Sequence, residues 1–174
     1  MKSLLPLLGL LIALTSFAQD DENNRFPVDP DSKLITYSRV IPVAGATKEQ
    51  LTGRIKYYFT HAFRERTLRY IESDAPSGLV STKGVLWLDL GPGNLLAPYE
   101  EFLLPVSVWV KDGRYRYVIS HIYALEHNSA NDVPLETWVK RTASNRFKNR
   151  VEEVIQKFIA DLNACMQNNK LDDF

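Results

Sequence analysis

At 174 residues, 45% of them hydrophobic, the chain is long enough to bury one core without staples. Its 21 lysines and arginines balance 21 aspartates and glutamates, which removes the electrostatic ground for nucleic acid or an anionic membrane as partner. The single cysteine, Cys165, excludes an internal disulfide, and its place near a helical apolar stripe reads as a small core hydrophobe.

Residues 1–18 read as a signal peptide: Lys2 supplies the positive start, Leu4 to Leu14 the apolar run, and Ser16 and Ala18 the small residues of a cleavage site before Gln19. The apolar run is too short to span a bilayer, and Asp20, Asp21 and Glu22 follow at once. No cysteine stands at the cleavage point, so no lipid anchor is expected. The expectation is export to the periplasm or beyond, with no membrane anchor after signal removal and one more acid than base in the mature chain.

Residues 19–32 read as a polar leader and turn, with Phe26 to Val28 as a short edge segment and Asp29 to Ser32 as the turn. Lys33 to Val43 is rich in β-branched and aromatic residues and reads as a strand that Pro42 pushes toward an edge. Thr47 and Gln50 form a capping box, and the helix they open carries Leu51, Ile55, Tyr58, Phe59, Ala62 and Phe63 on one stripe. Leu68 to Glu72 is a short strand, Asp74 to Gly78 a turn, Leu79 to Leu90 a longer strand, and Gly91 to about Glu100 a loop.

Asp112-Gly113 stands between two alternating runs and predicts a two-residue hairpin of type I′. Its register pairs Val110 with Tyr115, Val108 with Tyr117, Val106 with Ile119, Leu104 with His121 and Phe102 with Tyr123 on a core face. The opposite face pairs Lys111 with Arg114, Trp109 with Arg116, Ser107 with Val118 and Pro105 with Ser120. A polar loop over 128–132 precedes a short helical segment around Trp138. Phe147, Val151, Val154, Ile155, Phe158, Ile159 and Leu162 then mark a strong amphipathic helix from about Asn145 to Met166. The order is strand, helix, four strands, helix: an α+β layer, antiparallel sheet, helices on one face and the other face open. The domain spans 33–168, with a polar tail at 169–174.

The segments FPVDPDSKLITYSRVIPVAGATKEQLTGRIKYYFTHAF at 26–63, VLWLDL at 85–90 and VSVWVKDGRYRYVISHIYAL at 106–125 resemble an exported Bacteroidetes family, domain-of-unknown-function family 4468. The resemblance implies a TBP-like fold, a curved antiparallel sheet with two helices on its convex side. It implies no catalytic residues and, because fold does not fix function, no DNA binding.

No nucleophile elbow, zinc spacing or phosphate loop is present, so no catalytic residue, metal ligand or cofactor is expected. His121 and His127 flank Glu126 at a spacing that fits no zinc pattern, and His121 reads as a core histidine. His61 lies on the polar side of its helix, and Arg64, Arg66 and Arg69 read as a solvated helix end. The candidate site is the open face. If Leu86, Leu88 and Leu90 face the core, Lys83, Val85, Trp87 and Asp89 face outward, beside Trp109, Arg114 and Arg116 from the hairpin. Tryptophan with arginine is the composition of binding hot spots, and Trp109 opposite Arg116 suits a cation–π contact. The expected function is a non-catalytic binding module centred on Trp87, Trp109 and Arg116, its partner an envelope protein, a peptide strand at an edge, or a glycan stacked on tryptophan. The competing arrangement has the Trp138 segment or the 91–100 loop cover the tryptophans, making a structural envelope component; a hydrolase with a hidden acid pair is the third reading.

Overall fold

The computed structural model describes residues 25–63, 70–89, 99–125 and 132–169. The leader with its Ala18–Gln19 cleavage site, the 91–98 part of the loop, Leu90, the 64–69 basic cluster, His127 and most of the polar tail lie outside the described residues.

Helix α1 (Lys48–Ala62) begins where its capping box dictates: Thr47 accepts from the Gln50 amide at 3.3 Å, and Gln50 accepts from the Thr47 amide at 2.8 Å. A second first-turn amide, Lys48, is satisfied from the Asp112-Gly113 turn by Asp112 Oδ1 at 2.7 Å. The stripe Leu51, Ile55, Tyr58 and Phe59 is buried, with Phe63 just beyond the last turn. Helix α3 (Asn145–Gln167) follows the expected stripe and packs on α1, the Tyr58 ring meeting Phe158 edge-on at 5.3 Å.

The strands are β1 (Tyr37–Pro42), β2 (Tyr70–Asp74), β3 (Leu79–Asp89), β4 (Tyr99–Lys111), β5 (Arg114–Ile119), β6 (Tyr123–Leu125) and β7 (Val133–Pro134), with helix α2 (Leu135–Arg141) between β7 and α3. Every pairing is antiparallel, in the order β1-β5-β4-β3-β2, with β6 joining β4 and β7 joining β6. Among the described residues the expected four strands between the helices become six, because the segment after β5 returns to β4 and adds β7 beside it. Strand β1 starts at Tyr37 rather than Lys33, which adopts φ 60° in the preceding turn. The packed core reaches back past the expected start of the domain: Phe26 is 3% exposed, and Val28 bridges Ile35.

One face of the sheet is apolar: Val80, Leu88, Phe102, Leu104, Val106, Val108, Val110, Tyr115, Tyr117 and Ile119 are buried under the helices. Period two along a pleated strand allows no other division once one face is covered. Leu86 and Leu88 take the core side as expected, and so do Tyr115 and Tyr117.

The hairpin register is the expected one from Lys111–Arg114 to Val106–Ile119. Two expectations about it are corrected. The turn is not type I′, since only Gly113 (φ 71°) has positive φ. Gly113 is held from outside the hairpin, accepting from the Val43 amide and donating to the Ala46 carbonyl at 2.8 Å each. Beyond Ile119 the pairing shifts by one: Leu103 faces Tyr123 and Phe102 faces Ala124, so 104–105 oppose 120–122 in a bulge. His121 is left-handed there (φ 56°) and exposed, while Ile122 is fully buried. The expected core histidine opposite Leu104 is therefore a surface residue.

Three buried tyrosines give the fold a pH limit. Burial first, then the neighbouring Glu152 carboxylate, pushes the Tyr37 hydroxyl far above its ordinary range, and burial does the same to Tyr58 and Tyr115. Their hydroxyls donate to Glu152 Oε2, to the Phe158 carbonyl at 2.8 Å and to Asn163 Oδ1 at 2.5 Å. A group whose pKa rises on folding stabilises fully below its unfolded pKa and loses that contribution above it. Stability is thus expected to hold up to a pH of about 10 and fall beyond it. A spectrophotometric titration beside circular dichroism should show these three tyrosines ionising only as the chain unfolds.

Candidate binding face

The register brings one row of side chains to the face away from the described helices: Val40 of β1, Arg116 of β5, Trp109 of β4 and Leu79 of β3, each directly opposite the next. The row toward the hairpin turn is Pro42, Arg114 and Lys111. The row on the other side is Ser38, Val118, Ser107 and Ser81.

Arg116 lies over Trp109, its Cζ 5.9 Å from the ring centroid, and its Nε donates to Ser38 Oγ at 3.4 Å. That is the cation–π contact the hairpin register predicts. Val40 is 56% exposed at the sheet edge. Val40, Trp109, Lys111, Arg114, Tyr115 and Arg116 line a shallow depression of about 340 Å³, and none of the six is acidic. Asp112, the acid nearest in sequence, is turned to the Lys48 amide.

The outward residues of β3 do not join this group. Trp87 is on the same face and 42% exposed, but it pairs with Glu101, eight residues along β4 from Trp109. At about 3.3 Å per residue the two tryptophans are roughly 26 Å apart. They share a face, not a site. Lys83 sits between, opposite Pro105, and lines a second depression of about 340 Å³ with Ser107, Ser120, His121 and Tyr123. Trp109, Arg114 and Arg116 are brought together; Trp87 and Lys83 stand apart. Sequence reasoning missed Val40, because nothing local says that β1 pairs with β5. Lys111 was in view, as the hairpin partner of Arg114.

Trp138 does not cover the tryptophans. It stands edge-on to Phe102 at 5.3 Å, against the core side of the sheet, as do α1 and α3. Among the described residues no group of three His, Cys, Asp or Glu side chains is placed to hold a metal ion.

No family model matches the sequence, and no curated protein matches it. Solved structures share its architecture. A TBP-like protein from Parabacteroides distasonis superposes with a TM-score of 0.65 over 82% of this chain and 97% of its own, at 14% identity. A DUF4468 family protein from Bacteroides ovatus gives 0.64 over 82% and 91%, also at 14% identity. The chain has the TBP-like fold. The first neighbour is described by the fold, and the second by the family, that the sequence resembles. The described helices pack on one side of the sheet, and the Trp109 depression is on the other.

Proposed function

We propose that this chain is an exported, non-catalytic binding module, working in the periplasm or outside the cell, whose partner sits on the open sheet face at Trp109 and Arg116. The observation that supports it is the Trp109–Arg116 stack in a depression on the face away from the described helices. Aromatic and guanidinium groups held together by packing lose little side-chain freedom on binding, which is why they dominate interface energetics. Trp87 and Lys83 belong to the same face but to a separate part of it.

The test pairs capture with stability. The native chain and a Trp109→Ala, Arg116→Ala variant are cross-linked in their own cells and recovered. A partner held by the native chain and lost by the folded variant is the expected result. Trp109→Ala alone should cost less than about 2 kcal/mol in urea unfolding, against about 3–5 kcal/mol for a fully covered tryptophan. Equal recovery, or a loss in the higher range, would move the structural envelope component with an occluded face ahead of this reading.

A further inference from the structure

Resting on that reading, we infer that the depression takes a carboxylated sugar chain, a uronate-bearing polysaccharide. The first ground is charge. Lys111 and Arg114 are direct partners across the hairpin, and Arg116 follows Arg114 on the same face. Like charges directly opposite in an antiparallel pair cost stability, and among the described residues no acidic side chain lines the depression to offset them. Three cations held against one another at one end of a sheet are complementary to an anion. Guanidinium groups pair with carboxylates through two parallel hydrogen bonds.

The second ground is the body between the charges. The exposed Val40 and the part of the Trp109 indole not under Arg116 supply an apolar floor beside the cations, which suits the C–H face of a pyranose ring. A uronate presents that face and an anionic edge within one residue.

The third ground is the state of the neighbouring sheet edge. An extended acidic peptide draws its affinity from main-chain pairing with such an edge. Beside β1 that edge is already tied at both ends. The Thr36 amide donates to the Pro27 carbonyl at 2.8 Å, and the Pro42 carbonyl accepts from Gln167 Nε2 at 3.1 Å. Only the five residues Tyr37–Ile41 lie between these ties. The face, not the edge, is what a partner meets.

The experiment titrates the purified chain with polygalacturonate, neutral dextran, dextran sulfate and poly-L-glutamate, by calorimetry and tryptophan fluorescence. Polygalacturonate is expected to bind most tightly and to weaken with salt, with a fluorescence change that Trp109→Phe abolishes. Arg114→Gln and Arg116→Gln should each weaken binding about tenfold or more, while Lys157→Gln on the far helix leaves it unchanged. Circular dichroism checks each variant, and Lys111→Gln replaces any that fails to fold. Binding of dextran, polyglutamate or dextran sulfate as tightly as polygalacturonate would overturn the proposal, as would insensitivity to the arginines. If no polymer binds while the capture experiment still loses its partner in the double variant, this inference fails and the binding-module reading stands. If both are negative, both fall.

Discussion

Gly84→Ala is expected to lower the stability of the fold by about 3 kcal/mol, the upper end for an overpacked core. Gly84 is in the middle of β3, opposite Leu104, on the covered face of the sheet. The ring of Phe63 lies against Gly84, so an added methyl group would fall on the ring carbons themselves. Phe63 has no room to yield. It is 2% exposed at the end of α1, and its ring is 5.4 Å from that of Phe158 on α3. In an open strand the same substitution would gain about 0.5–1 kcal/mol from lost chain entropy, so the collision decides the sign. Urea unfolding measures it, and Phe63→Leu in the Gly84→Ala background should recover part of the loss. A neutral Gly84→Ala, or a double variant no better than the single, would show that the α1–sheet contact is not as described.

Replacing Arg54 should cost nearly as much, for a different reason. Arg54 is on the buried stripe of α1, 3% exposed, among apolar residues that periodicity alone assigned to the core. Its Nη1 donates to the Met166 carbonyl at 2.7 Å, in the last turn of α3. Helix ends leave carbonyls without intrahelical donors and carry partial negative charge, and α3 has no basic residue in its own last turn. Arg54 supplies from the neighbouring helix what α3 lacks. The contact is returned on the other side, where Cys165 Sγ donates to the Arg54 carbonyl at 3.6 Å. Arg54→Met keeps the apolar stem and removes the donor, and should cost about 2 kcal/mol. Arg54→Ala adds the void and should cost about 3 kcal/mol or more. Hydrogen exchange should show the loss concentrated at the end of α3. An Arg54→Met variant as stable as the native chain would mean that packing alone holds the helix pair.

The sequence alone sufficed wherever the deciding interaction is local. Thr47 and Gln50 cap α1 because the partners are three residues apart. The α3 stripe repeats with the helical period, and the pairings from Lys111–Arg114 to Val106–Ile119 follow from a two-residue turn. The same pairings made Trp109 and Arg116 neighbours and placed Tyr115 and Tyr117 in the core. Tertiary structure decided what depends on residues distant in sequence. Val43 and Ala46 hold Gly113 and set the turn type, against the local preference of an Asp-Gly pair. The bulge at His121 shifts the register by one, because the chain must bury Ile122 and still return to β4. The pairing of β1 with β5 brings Val40 to the site, and the length of β3 against β4 separates Trp87 from Trp109. Arg54 falls in the same class, since only the position of α3 gives its charge a reason to be buried. Local periods and caps are written in neighbouring residues. The choice among distant strands and helix ends is made by the packing of the whole core, which no window of sequence contains.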